Sequence, residues 1–411
     1  MKPNKLAITV SDFAYLALSL SISLRLVLGN RILDNFYSYT LEGGNPLLKI
    51  HPGTWLLLIS VGLFGFARGY GRLLYDLRSK IKPIGIAFLS TCALMAYTFI
   101  LWGSSGAAYL VDTYLFSILC LMLAAHLNRE KCVKLFKLIA TIVTINSIIA
   151  IFEYITKTHV VPNPVTGSGF FRANALMAHP LNNALVTLPV ALAVLISPLK
   201  RKWRYGMNAI VFLGIVAFAT RASLLMYIAA VLFIIWSYSF TARLSNSTRA
   251  LYIISTPILI IFLSLAFYFA VFLTDFGTGI SSRTSVDDSA LARTDAISFF
   301  TSLNIGRYFL GAGPSGFTDL ISESSAVSVI ENFWIQHIVI YGIPMFLILM
   351  YGYTSLIKWI ATNSSIQFKI VIFSFIVAAS TNNSLSIKTS ALAVFLLIIY
   401  LLRRMEQKYE L

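Results

Sequence analysis

Nearly the whole chain is built of apolar blocks long enough to cross a bilayer, at roughly 20 residues per crossing. The blocks predict about twelve helices, near 7–29, 54–71, 83–103, 107–126, 134–156, 179–199, 205–220, 222–238, 250–274, 332–351, 368–380 and 388–402. The seventh, eighth, eleventh and twelfth are short. The first is too long for the apolar stretch of a signal peptide and lacks a small-residue cleavage site, so it reads as a retained helix. The expected fold is all-α: a polytopic transmembrane bundle, one integral membrane domain over 1–411, with a long extracytoplasmic loop at 275–331 carrying short helices.

Basic residues between the blocks orient the bundle. Lys2 and Lys5 precede the first helix, and Arg68, Arg72, Arg78, Lys80 and Lys82 follow the second. Arg129, Lys131 and Lys134 follow the fourth, and Lys200, Arg201, Lys202 and Arg204 the sixth. Arg243 and Arg249 follow the eighth, Lys358 and Lys369 flank the loop after the tenth, and Arg403, Arg404 and Lys408 close the chain. Every cluster falls at an even-numbered exit. Twelve spans then put both termini and all clusters in the cytoplasm.

Composition agrees. Hydrophobic residues make up 58% and charged residues 12%, and the mean hydropathy is +0.80; a soluble domain carries about 25% charged residues. The net charge of +16 is spread over short loops rather than one face, so it is a topology signal and nucleic acid is not an expected partner. Cys92 and Cys120 sit in predicted spans and Cys132 in a cytoplasmic loop, with neither a disulfide nor a zinc spacing. No cofactor and no metal are expected.

The odd exits are more informative. Two outward loops exceed simple turns, about 157–178 and 275–331. In the second, Asp295–Leu303 has mixed helical periodicity and predicts one or two short helices, with Gly/Ser-rich connectors near 277–289 and 311–328. Positive charge is disfavoured on this face, yet Arg31, Lys49, Lys157, Arg172, Arg221, Arg283, Arg293, Arg307 and Lys388 lie there, with Arg25 inside the first helix near the same side. A central membrane Arg costs about 2.5–3.5 kcal/mol on insertion scales and so faces a partner or a wet cavity.

Arg221, in Phe218-Ala-Thr-Arg-Ala-Ser-Leu-Leu225, sits on a turn too short to lift it far from the bilayer. It is either a snorkelling interface residue or an anion ligand at a cavity mouth, a role its planar donor fork suits. Arg293 either pairs with Asp287, Asp288 or Asp295 or binds an anion, and Arg172, after a Gly/Ser hinge, is similar. His179 precedes Pro180 at a helix start and is a base candidate or a structural residue. Glu331, before Asn332, is a helix N-terminal charge favoured by the macrodipole or a base. His337, inside the same apolar helix, reads as packed or cavity-lining. Gly311-Ala-Gly313-Pro-Ser-Gly316 satisfies G-x-G-x-x-G without the strand and βαβ unit that a dinucleotide site needs, so it reads as a tight turn.

Together these residues resemble the O-antigen ligase and O-antigen polymerase superfamily of bacterial inner-membrane proteins. Arg221-Ala-Ser-Leu-Leu225 is similar to the family's Arg-x3-Leu element. The long outward loop carries Leu291-Ala-Arg293, then the Gly-rich turn Phe309-Leu-Gly311-Ala-Gly313, and ends in Glu331-Asn332 ahead of Gly342. The resemblance covers roughly 165–350 in motifs and the whole chain in topology. It implies glycan transfer from an undecaprenyl-pyrophosphate carrier at the outer leaflet, without nucleotide sugar or metal. The ligase pattern has His before the Asn, where this chain has Glu331, and a final Gly where it has Met345. That departure favours a polymerase for O-antigen, capsule or exopolysaccharide over a ligase acting on lipid A core.

The chemistry asks for cations on the leaving pyrophosphate, with Arg221 and Arg293 as candidates and Arg172 as a third. It also asks for a base or positioning acceptor near the acceptor hydroxyl, with Glu331 as the candidate. Asn332 and His179 complete the expected substrate contacts. The implied partners are the undecaprenyl-pyrophosphate-linked glycan, the lipid bilayer, a chain-length regulator and a flippase. The reading from another class is a polysaccharide or anion transporter, against which stand the absence of a repeat and charges at one face rather than mid-membrane.

Overall fold

The computed structural model describes residues 9–40, 45–104, 106–162, 171–177, 179–241, 254, 297–301, 303–323 and 330–406. Among them every regular element is helical, the form in which an apolar segment satisfies its own backbone without water. The helices are α1 (Val10–Val27), α2 (Asn30–Asp34), α3 (Pro52–Arg68), α4 (Tyr70–Arg78), α5 (Lys82–Trp102), α6 (Ala107–Ala124), α7 (Arg129–Thr156) and α8 (Pro180–Ile196). They continue as α9 (Arg201–Ala217), α10 (Arg221–Thr241), α11 (Ile305–Leu310), α12 (Gly313–Glu323), α13 (Phe333–Ala361), α14 (Ile366–Ser380) and α15 (Ala391–Glu406).

A helix lies on every expected apolar block except 250–274, which apart from Ile254 falls outside the described residues. Six are long and apolar enough to cross a membrane: α1, α5, α6, α7, α10 and α13. The pair α3 and α4, bent by 103°, makes a seventh if counted as one span. The others are too short for the same test. At 1.5 Å per residue the 17 residues of α8 or α9 reach about 26 Å, short of a hydrocarbon core of about 30 Å.

Three local features depart from the expected pattern. The second block ends at Gly69 (φ 87), where the chain turns sharply into the short α4. The connector expected at 311–328 contains α12, because Phe317 and Ile321, one turn apart, pack on Ile330. And α13 runs ten residues past its expected end, to Ala361, bending at Gly342 (φ 77). The short helix expected in Asp295–Leu303 is present as helical residues at 297–301.

The centre belongs to α6 and α15. Of the α6 span 83% is buried, against 33% for α5 and for α10, which keep a face to the outside. α15 is buried on nearly every side and packs on α6, α7 and α8, as a helix apolar all round should. α1 delivers its C-terminal end, and α3, α8, α13 and α15 their N-terminal ends, to one end of the bundle. There the Asn30 side chain donates to Lys388 O (2.9 Å) and Phe333 N–H donates to Asn382 O (3.2 Å). Gly29 also meets the 171–177 segment there, so closely that a Cβ would lie 2.1 Å from Leu176 O.

Candidate functional site

Two buried carboxylates hold the loops at this end. Asp112 stands in a π-helical turn of α6 (Leu110–Leu115) and is fully buried. Its carboxylate accepts from Tyr39 Oη (2.6 Å) and from His51 N–H (3.0 Å), pinning the stretch between α1 and α3. Arg25 completes the cluster, donating through one guanidinium nitrogen to Tyr39 Oη (2.9 Å) and through the other to Asp112 O (3.5 Å). His51 Nε2 faces Leu28 O (2.8 Å) while Nδ1 accepts from Gly53 N–H (3.0 Å), so the ring donates through Nε2. Burial first, and then the Arg25 charge, push its protonation down to about 2, which leaves it neutral.

The second carboxylate is Glu153 in α7, also fully buried. It accepts from the N–H groups of Val160 (2.8 Å), Asn174 (2.7 Å) and Ala175 (2.9 Å). About two turns earlier, Asn146 accepts from Leu176 N–H (3.0 Å) and donates to Asn183 Oδ1 (2.8 Å). Asn183 in turn donates to the carbonyls of Asn174 and His179. The segment before α8 is therefore clamped at both ends, and with it Arg172 and His179. Ala173 N–H donates to Ala217 O (3.1 Å), tying the residue beside Arg172 to the end of α9, just ahead of the Arg221 turn.

Between these clamps lies a narrow pocket lined by Arg25, Asn30, Asn182, Lys388, Thr389 and Ser390, with room for about one water or one anionic oxygen. Arg25 is 4% and Asn182 6% exposed, and neither Arg25 Nε nor Asn182 Oδ1 has a hydrogen-bond partner. A buried donor and a buried acceptor without partners thus belong to two residues that line one slot, an arrangement that native interiors seldom leave without purpose. Lys388 reaches in from the loop before α15, donating to Tyr39 O (2.6 Å) and Lys49 O (2.8 Å), 4.0 Å above the Tyr39 ring. Burial, opposed by Asp112 and assisted by Lys49 and Arg25, pulls its pKa down to about 8. His179, two residues after Met177 and three before Asn182 of the pocket wall, is exposed at the surface. Desolvation by its surroundings, then Arg172 and Arg31, lower its pKa to about 4, so at neutral pH the ring is uncharged and able to accept a proton.

Among the expected site residues, the fold therefore gathers Arg172 and His179 with Arg25, Arg31 and Lys388. Arg221 opens α10 with its side chain exposed, after a turn in which Ala219 has φ 51. Arg293 lies outside the described residues, as does Arg283. Glu331 is half-buried just before α13. Asn332 caps that helix, its side-chain oxygen accepting from the N–H groups of Trp334 (2.9 Å) and Ile335 (3.2 Å). The Glu331-Asn332 corner adjoins the 380–390 loop that carries Lys388: Trp334 Nε1 donates to Ser380 Oγ (2.8 Å). His337 is packed, as its position suggests, between Tyr114 Oη (2.9 Å), Phe333 O (2.8 Å) and Ser386 Oγ (3.1 Å).

The Gly-rich turn and Gly342, far apart in sequence, touch. A Cβ on Gly311 (φ 77) would lie 2.3 Å from Ile340 O, and one on Gly342 2.2 Å from Phe309 O. Only glycines allow α11 to approach the bend of α13 this closely, and Ala312 N–H seals the contact to Val339 O (2.8 Å). Gly311-Ala-Gly313 is thus a turn. Asp112 and Glu153, the two residues that organise the site, were not singled out from the sequence. The available signal was an acid inside an apolar span, where an unpaired charge is costly. No family model matches the chain, and no curated protein matches it either.

Proposed function

We propose that the chain is a membrane glycan polymerase, transferring an undecaprenyl-pyrophosphate-linked oligosaccharide onto a lipid-linked repeat unit at the outward face of a bacterial inner membrane. In this reading about twelve spans place both termini in the cytoplasm. The observation that carries it is the convergence of Arg25, Arg31, Arg172 and Lys388, from three distant parts of the chain, on one end of an apolar bundle. Fixed cations at one membrane face suit a lipid-anchored anion, whose tail stays in the bilayer while its phosphates reach the protein.

The reaction needs no cofactor. An acceptor hydroxyl attacks the anomeric carbon of the donor glycan, forming the new C–O bond as the bond to pyrophosphate oxygen breaks. The hydroxyl proton passes to Glu331, and undecaprenyl pyrophosphate departs with the bonding pair. Arg221 and Arg172, with Arg293, stabilise the charge that develops on the leaving group. His179, neutral at pH 7, orients the acceptor, and Asn332 holds the Glu331 corner through its cap.

The test is glycan analysis of a deletion strain and of the purified chain in lipid nanodiscs supplied with a lipid-linked repeat unit. A polymerase yields a ladder of longer lipid-linked glycans in vitro, and its deletion leaves single repeats on lipid. Long chains left on the carrier after deletion indicate a ligase. Unmodified cargo trapped on the cytoplasmic side indicates a transporter.

A further inference from the structure

A second site lies at the opposite end of the bundle and serves no part of the transfer reaction. Helices α7 and α9 run side by side and touch at Gly214, where a Cβ would lie 2.5 Å from Ser147 Cβ. Two turns back, about 12 Å along the axis, a Cβ on Gly206 would meet no atom within 4 Å. Beside the seam between the two helices, the surface of α9 is therefore open toward Lys202. The opening is a groove of about 420 Å³ open to the outside, its walls including Thr144, Ile145, Gly206 and Ile210 and its mouth Lys202 and Trp203. Ile145 is 50% and Trp203 65% exposed.

The mouth is charged in one sense only. Ser197–Gly206 holds Lys200, Arg201, Lys202 and Arg204 and no acid. Arg204 donates to Ser197 O (3.4 Å) and Arg201 lies over the Tyr205 ring (5.5 Å). Lys202 makes neither hydrogen bond nor ion pair among the described residues. An apolar slot on the outer wall of a membrane bundle, ending in a lysine and a tryptophan, matches one molecule in three places: acyl chain, interfacial glycerol and phosphate.

We propose that this groove binds one anionic phospholipid from the leaflet at the Lys200–Arg204 end, with an acyl chain between α7 and α9 and its phosphate on Lys202. Gly206 keeps the slot open, and Trp203 sits at the level of the glycerol.

The full-length protein, purified in detergent and titrated with phosphatidylglycerol, is examined by native mass spectrometry. One phosphatidylglycerol should remain bound under conditions that strip phosphatidylcholine. Lys202→Gln should weaken it about fivefold, the effect of removing one lysine from an anionic headgroup. Gly206→Leu should fill the slot and remove the adduct while the melting temperature stays unchanged, since the new side chain enters open space. Equal retention of phosphatidylcholine, an unchanged adduct in both variants, or displacement by undecaprenyl phosphate would each overturn the assignment. A Gly206→Leu chain that fails to fold also overturns it, because the groove would then not be open in the folded protein.

Discussion

At one end of the bundle basic side chains lead away from the protein; at the other they are folded into it. Lys80 and Lys134 are 69% and 57% exposed at the first end, and Arg201 and Lys202 are exposed beside them. The acid that gathers charge there, Asp76, is met by Arg68 (3.0 Å) and Lys80 (3.5 Å) and closes its own account. At the second end Arg25 is 4% exposed and Lys388 half-buried, held over carbonyls, a tyrosine ring and Asp112. The residue types are the same, but their cost is not. Exposed cations are solvated by water and headgroups and contribute little to stability. A buried cation persists only where dipoles and a counter-charge compensate it, so its presence marks a constructed place.

The largest break in this comparison is a change at a clamp. Glu153→Ala orphans two buried N–H donors and a part-buried one, and should cost about 3–5 kcal/mol, read as a much lower melting temperature and poor yield. Glu130→Ala, which removes the exposed pair with Lys134 at the other end, should leave melting unchanged. Equal effects at both ends would remove the distinction.

Glu331→Gln keeps the side chain's size and removes its basicity. If Glu331 is the base, transfer should slow on the order of 10²–10⁴-fold at normal protein yield. Polymerisation at the wild-type rate with normal chain lengths would pass the role to His179, whose low pKa keeps it available.

Arg221→Ala should reduce transfer on the order of 10²–10³-fold, the usual weight of one electrostatic donor, without impairing membrane insertion. Arg221→Lys should rescue poorly, since a point charge does not replace a planar fork. Full activity with Lys would return Arg221 to the class of interface anchors seen at the opposite end.

The mildest effect is a pH dependence. Lys388 has its pKa lowered to about 8, so its ammonium is present below that value and lost above it. Affinity for the pyrophosphate donor should therefore fall about tenfold as pH rises through 8. Lys388→Met should bind weakly at every pH and flatten the profile. A wild-type affinity that is constant between pH 7 and 9 would exclude Lys388 from the site.

The helices on the apolar blocks were legible from the sequence because such blocks in lipid have a single local solution, and from α1 to α10 their positions agree with the structure to within about five residues, while the short α2 and α4 between the blocks were not expected. Length was the weak point: Gly69 cuts the second block and Gly342 bends the tenth without ending it, since a positive φ reads the same in sequence whether it stops a helix or only turns it. The conspicuous cations were also legible, because positive charge at the exits opposite the basic clusters breaks the alternation seen in the rest of the chain. Their grouping was not. Arg25, Arg172 and Lys388 are brought to one end by Asp112 and Glu153, single acids whose meaning depends on which backbone N–H groups reach them. The approach of Gly311 to Gly342 is of the same kind. By itself, then, the sequence determined that this is a helical chain with apolar, membrane-length segments and an uneven distribution of charge, because burial and periodicity are local properties. Only the tertiary structure decided which cations share a pocket and which face outward, because that depends on contacts between residues tens to hundreds of positions apart.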